Sequence, residues 1–200
     1  MQGASLTAGA LQFLLYFNKM YWEVRMNFHK GDTVMHWTYG IGQILNLEER
    51  ALAGSKTIYY EVQVKNMTVW VPADSKVRSR LRTPASKPRF ERLLAILSSP
   101  SEPLPADRLE RKNHLVALLE DCRPESLCQV IRDLSAYQKQ LGKPMNDNDQ
   151  MILKQSRNTL LGEWGFVLSI PHAQAEIELF RLLAPPAVLD GLPVHPHLSA

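Results

Sequence analysis

His36-Trp37-Thr38-Tyr39-Gly40-Ile41-Gly42 decides the fold class of this chain. An apolar run, Thr33-Val34-Met35, leads into its Gly-x-Gly turn, and a second strand carrying Ile41, Ile44 and Leu47 leaves it. Glycines at 40 and 42 permit positive φ or a close backbone approach, as a tight turn or a bulge between strands requires. Val34 and His36 alternate with Met35. Further on, Ile58, Tyr60, Val62 and Val64 alternate strictly with Tyr59, Glu61, Gln63 and Lys65, the pattern of a half-buried strand. Ala53-Gly54-Ser55 marks the turn before it. Lys65-Asn66-Met67 is a short hairpin connection into Thr68-Val69-Trp70-Val71, which Pro72 ends. Short strands joined by tight turns close most easily as a small curled barrel, predicted here over residues 26–84.

After the barrel comes a basic connector, Lys76, Arg78, Arg80, Arg82, Lys87, Arg89 and Arg92, opposed by Asp74 and Glu91. Pro84 and Pro88 mark the boundary. From there the period is helical. Leu93, Leu94, Ile96 and Leu97 form a short helix stopped by Ser98-Ser99-Pro100. A second helix spans roughly Asp107 to Glu120, with Leu115, Leu118 and Leu119 on its apolar side. In a third, Leu127, Val130, Ile131 and Leu134 recur at helical spacing, with Pro124 in the first turn and Gly142 at the end. Asn146 caps a fourth, whose stripe includes Leu153, Leu160, Trp164 and Val167 and whose first turn holds Asp147 and Asp149. Pro171 opens a fifth, bearing Ile177, Phe180 and Leu183. The fold class is therefore α+β. A small curled β-barrel is followed by an all-α domain over 88–184, and residues 185–200 form a tail.

Two hundred residues suffice for one or two domains with real cores. A formal net charge of +3 is mildly basic and barely favours nucleic acid. Cys122 and Cys128, six apart, would lie on different faces of a helix, which favours reduced structural thiols in a reducing cytoplasm. No stretch is long and apolar enough to span a bilayer. Ala10 to Phe17 has the look of a signal-peptide core, but no Lys or Arg precedes it, and residues 1–25 read as an extension outside the fold. Catalysis has little support: His114 and His172 stand alone, and His195-Pro196-His197 lacks partners for a metal site. No phosphate loop or nucleophile elbow is present. The expectation is a non-enzymatic protein that needs no metal or cofactor.

The order of these motifs resembles the CarD/CdnL transcription regulators, whose polymerase-interacting domain also occurs in the transcription-repair coupling factor. The carriers in the β half are the His36–Gly42 turn, Gln43 to Arg50, and Thr68-Val69-Trp70-Val71-Pro72. In the helical half they are Gln129-Val130-Ile131-Arg132-Asp133-Leu134, Met151-Ile152-Leu153 and Leu160-Leu161-Gly162-Glu163. The resemblance runs from about Phe28 to about Leu183. It implies a Tudor-like barrel that packs on the RNA polymerase β subunit, adding its sheet edge to one there. It also implies a helical half that meets promoter DNA.

The resemblance places polymerase contacts at Arg50 and Trp70. Arg50 also reads as an ordinary solvated side chain before a turn. Trp70 is an interface anchor if Val69 and Val71 face the core, and core filling if they do not. For DNA, Arg108, Arg111 and Lys112 have i, i+3, i+4 spacing on one helix face, and Lys112 aligns with a family residue that contacts the DNA backbone. The competing reading is a solvated face, since Glu110 interrupts the run. Lys154 and Arg157 are weaker candidates. One departure stands out. The family wedges a Trp into the minor groove at the start of the second helix, where this chain has Asp107. No aromatic residue lies between Phe90 and Tyr137. An acidic side chain there cannot stack on a base and is repelled by phosphate.

The resulting expectation is a monomeric bacterial transcription regulator, cytoplasmic and nucleoid-associated, with no membrane partner. It would bind the polymerase β subunit and touch promoter DNA through the backbone, without sequence specificity, so altering open-complex stability. The alternatives are a polymerase-binding adaptor without DNA contact and a nucleic-acid-binding barrel that acts without polymerase.

Overall fold

Thr33–His36 (β1) and Gly40–Leu52 (β2) pair antiparallel around the aromatic turn, with Met35 opposite Ile41 and His36 opposite Gly40. These ladders come from a computed structural model, which describes residues 28–52, 55–74 and 80–184. The extension 1–25, the Ala53-Gly54 turn, Lys76, Arg78 and the tail 185–200 lie outside the described residues. The two motif glycines serve different ends. Gly40 has φ +80, which a side chain would strain. Gly42 has ordinary backbone, but a Cβ there would come within 2.6 Å of the Gln63 carbonyl oxygen.

Ser55–Val64 (β3), Met67–Pro72 (β4) and Leu81–Arg82 (β5) complete an antiparallel sheet in the order β4-β3-β2-β1-β5. The β3–β4 connection is the two-residue turn Lys65-Asn66, with Lys65 at φ 51. The register slips by one between Ile44 and Asn46, a bulge at Leu45 that bends β2. Two expectations change. Among the described residues no ladder joins β4 to β5, so the sheet is open where a closed barrel was predicted. β2 and β3, at 13 and 10 residues, are longer than the short strands expected. The polar run Glu48-Glu49-Arg50, beyond the apolar Ile41, Ile44 and Leu47 of that strand, stays in the ladder opposite Tyr59, Ile58 and Thr57. One face of the sheet buries Val34, Ile44, Tyr60, Val62, Val64 and Val71, and Phe28 packs edge-on to Tyr60 at 5.8 Å.

Five helices follow: Lys87–Leu97 (α1), Arg108–Glu120 (α2), Pro124–Gln140 (α3), Asp147–Leu168 (α4) and His172–Leu182 (α5). Their starts follow the sequence signals. Asp107 and Asn146 cap α2 and α4 with side-chain oxygens, and proline stands in the first turn of α1 and α3. The helices share a core that includes Phe90, Leu115, Ile131, Leu134, Leu160 and Trp164.

Three sequence readings need correction here. The β1 alternation does not leave a free face, because Val34, Met35 and His36 are all buried. Val34 faces the sheet core, whereas Met35 and His36 line a small space shared with Cys122 and Leu127 of the helical half. On α5 the packed residues are Ala175 and Leu179, while Ile177 and Phe180 are exposed. Cys122 is in the α2–α3 connection at φ 56, not on a helix. Both thiols are free and buried, and desolvation pushes them up to about 11 for Cys122 and about 12 for Cys128. They are inert at neutral pH.

Candidate functional site

Strand alternation sorts the outer face of the sheet. With Tyr60, Val62 and Val71 turned to the core, Asn46, Glu48, Arg50, Tyr59, Glu61 and Trp70 lie on the opposite face. Glu48 stands opposite Tyr59, and Trp70 opposite Glu61. Arg50 comes from the far end of β2 and lays its guanidinium carbon 3.3 Å from the centroid of the Trp70 ring. Its Nη2 also approaches Glu48 Oε2 at 3.4 Å. Val71 is buried and Val69 packs against the sheet core, so Trp70 does point away from it, and Arg50 lies over its ring. At an exposed site such a stack contributes about 0.5–1 kcal/mol, which favours the stacked arrangement by about two- to fivefold. The spacing of Arg50 and Trp70, twenty residues apart, carries no hint of this pairing. β4, which bears Trp70, pairs on one side only among the described residues, so it is an edge of the described sheet.

A second constellation fixes the sheet relative to the helices. Arg82 of β5 donates from Nη1 and Nη2 to the two carboxylate oxygens of Glu163 on α4, at 2.7 and 2.6 Å. Glu163 is fully buried and also accepts from the Ala85 amide at 2.8 Å. Arg82 Nε donates to the Cys122 carbonyl oxygen at 2.8 Å. Burial opposes the Arg82 charge, but the hydrogen bonds and field of Glu163 outweigh it and hold the guanidinium above its ordinary pKa. Nearby, Gln155 Nε2 of α4 donates to the Thr38 carbonyl oxygen at 2.8 Å. A Cβ on Gly40 would lie 3.6 Å from the Thr159 backbone. His36 holds the aromatic turn from within. Its Nδ1 accepts from the amides of Thr38 and Tyr39 at 3.1 and 3.3 Å, and burial lowers its pKa to about 4. The sequence did hold a signal for Glu163: a carboxylate beside Leu160, Leu161 and Trp164 on a buried stripe needs a cation, and the connector supplies one.

The α2 trio divides. Arg108 and Lys112 are exposed. Arg111 is not: it is 3% exposed, its Nε donates to the buried Asp149 carboxylate at 2.8 Å, and its Nη1 donates to the Pro105 carbonyl oxygen at 2.7 Å. Its guanidinium also faces the Tyr137 ring at 4.7 Å. The i, i+3 spacing places Arg111 toward α4, where its charge is already neutralised, so it is withdrawn from the DNA-contact set. Asp107 is the α2 cap, accepting from the Leu109 and Glu110 amides at 2.8 and 2.9 Å. Those bonds, the Glu110 amide foremost, hold its carboxyl below the usual range. Leu109, one residue into α2, is 64% exposed. Arg132 and Asp133 bind each other and tie down the α1–α2 linker, Arg132 Nη1 donating to Ser99 Oγ and the Glu102 amide to Asp133 Oδ1. Lys154 is exposed, whereas Arg157 is half-buried against Phe180 and Ser135.

With this geometry in place, comparison with known families gives one result. Residues 28–83 match the model of the CarD-like/TRCF RID domain. The chain carries a CarD-like/TRCF RID domain. RID domains of this kind interact with the RNA polymerase β subunit, which ties residues 28–83 to a transcription-related, polymerase-interacting role. The match spans the whole sheet, from Phe28 to one residue past Arg82, and the five helices lie beyond it. No curated protein matches the chain significantly. Among the described residues no group of three or more His, Cys, Asp or Glu is placed to hold a metal ion, and no helix is long and apolar enough to cross a membrane.

Proposed function

We propose that the chain is a non-enzymatic transcription regulator that grips the RNA polymerase β subunit with the outer face of its RID sheet and lays its helical half along promoter DNA. The observation that carries the first part is the Arg50–Trp70 stack, at 3.3 Å, beside β4, an edge strand among the described residues, within the RID match. A strand edge offers backbone hydrogen bonds to a partner sheet, and an Arg on an indole offers a large, flat, charged anchor of the kind that dominates interface energetics.

The DNA contact is proposed for Arg108 and Lys112, one turn apart on the exposed side of α2. These groups hold phosphates and carry no sequence information. With two phosphate contacts, the slope of log affinity against log salt is about −2, at about 0.9 per phosphate. The buried Arg82–Glu163 pair supports a fixed angle between sheet and helices, so that binding polymerase also positions α2. A binding titration with core polymerase, with and without duplex promoter DNA at graded salt, tests the reading. Salt-sensitive gain from DNA supports the regulator. Polymerase binding that is indifferent to DNA supports the adaptor, and DNA binding without polymerase affinity refutes the reading.

A further inference from the structure

The aromatic turn, the tip of the β3–β4 hairpin and α4 enclose a cleft of about 700 Å³. Tyr39, Val64, Lys65, Met67, Met151 and Lys154 line it. Tyr39, Met67 and Met151 are 42%, 49% and 61% exposed, so the cleft gathers three of the large exposed apolar side chains. Among the described residues its charge is of one sign: Lys65 and Lys154 line it, no Asp or Glu does, and neither lysine is in an ion pair. The rims are held in place, since the Gln155–Thr38 hydrogen bond joins helix to turn. The cleft is distinct from the Arg50–Trp70 surface, because Met67 and Trp70, three apart on β4, lie on opposite faces of the strand and Arg50 pairs with Thr57 near the other end of β3.

We propose that this cleft is a docking site for an acidic amphipathic peptide segment of a protein partner. Such a segment sets a large apolar side chain between Met67 and Met151 and its carboxylates against Lys65 and Lys154. Methionines are flexible and polarizable, and they adapt to apolar side chains of varied shape. An amphipathic helix laid in a groove uses this combination of apolar floor and charged rim. The charge complementarity calls for an acidic partner. The apolar lining calls for a side-chain anchor, and a single tyrosine ring gives a nucleic acid strand little to stack on.

The test uses the full chain and a fluorescein-labelled synthetic amphipathic peptide with Leu on one helical face and Glu on the other, read by anisotropy. The peptide binds saturably, and its charge-reversed Lys counterpart does not. Met151→Glu and Lys154→Glu, both at exposed positions, each weaken binding by about tenfold or more. Ile177→Glu, on the exposed side of α5, leaves it unchanged, and Met151→Glu keeps its affinity for core polymerase. Absence of saturable binding overturns the proposal, as does an equal loss in Ile177→Glu. Tighter binding of an oligo-dT strand that Lys154→Glu abolishes assigns the cleft to nucleic acid and also overturns it.

Discussion

Replacing Glu163 by Ala should destabilise the whole chain, because one carboxylate joins three parts of it. Glu163 is fully buried and accepts three hydrogen bonds, two from Arg82 and one from the Ala85 amide. Removing one member of a buried ion pair costs about 3–5 kcal/mol, since the other charge stays behind without its partner. Arg82 would retain the Cys122 and Thr83 carbonyl oxygens, at 2.8 and 3.1 Å, but its Nη2 would lose the Glu163 bond. The Ala85 amide would be orphaned as well, and a buried unsatisfied donor costs about 1–3 kcal/mol. The two terms share one cavity and do not add fully, so about 4 kcal/mol is the expected loss, a large fraction of a typical 5–15 kcal/mol. Urea unfolding followed by tryptophan fluorescence and by far-ultraviolet dichroism is the assay. Glu163→Gln keeps an acceptor for Ala85 and should lose less. The paired substitution of Arg82→Met with Glu163→Leu should lose less than Glu163→Ala alone, because no unpaired charge remains. A loss below about 1 kcal/mol for Glu163→Ala would refute the reasoning, as would a double variant worse than the single.

His36 sets an acid limit. Its pKa falls from 6.5 unfolded to about 4 folded, so the unfolded chain binds the extra proton between those values, and stability declines as pH drops through that window. The full effect, at pH 4 and below, is about 3 kcal/mol at 1.36 kcal/mol per unit, and His36→Asn, which keeps an acceptor for the turn amides, should flatten the dependence seen in urea midpoints. Arg111→Ala should cost about 3–5 kcal/mol by stranding Asp149, whereas Arg108→Ala and Lys112→Ala should leave stability unchanged and each reduce the DNA salt slope by about 0.9, as melts and titrations at graded salt would show. Asp107→Trp should cost about 1 kcal/mol by removing the α2 cap, yet lengthen the decay of promoter complexes after competitor challenge, since it removes a phosphate-repelling charge and adds a stacking surface.

Local signals were the legible ones. Gly40, Pro124, Asn146 and Pro171 act through their own backbone or the next few amides, so the neighbouring sequence suffices to place them. Alternation, also local, put Trp70 on the face opposite Val69 and Val71, but which face meets the core depended on the sheet's packing. What stayed hidden depends on which distant element arrives. Arg111 looks identical to Arg108 until α4 brings Asp149 to it, and β1 looks half-exposed until the helical half covers Met35 and His36. Ile177 and Phe180 sit at core spacing on a helix packed by a narrower pair, Ala175 and Leu179. Barrel closure was inferred from strand brevity, and the long β2–β3 hairpin removes that premise.

The central claim is that the stacked Arg50 and Trp70 hold polymerase. Titration of purified RNA polymerase β subunit with wild type, Arg50→Glu and Trp70→Ala, alongside thermal melts of each, tests it most directly. Arg50→Glu should lose the stack and about 1 kcal/mol or less of fold stability, but weaken binding by about 2 kcal/mol or more, near thirtyfold. Trp70→Ala should weaken binding by a similar amount. Wild-type affinity in both variants, with the fold intact, would contradict the account.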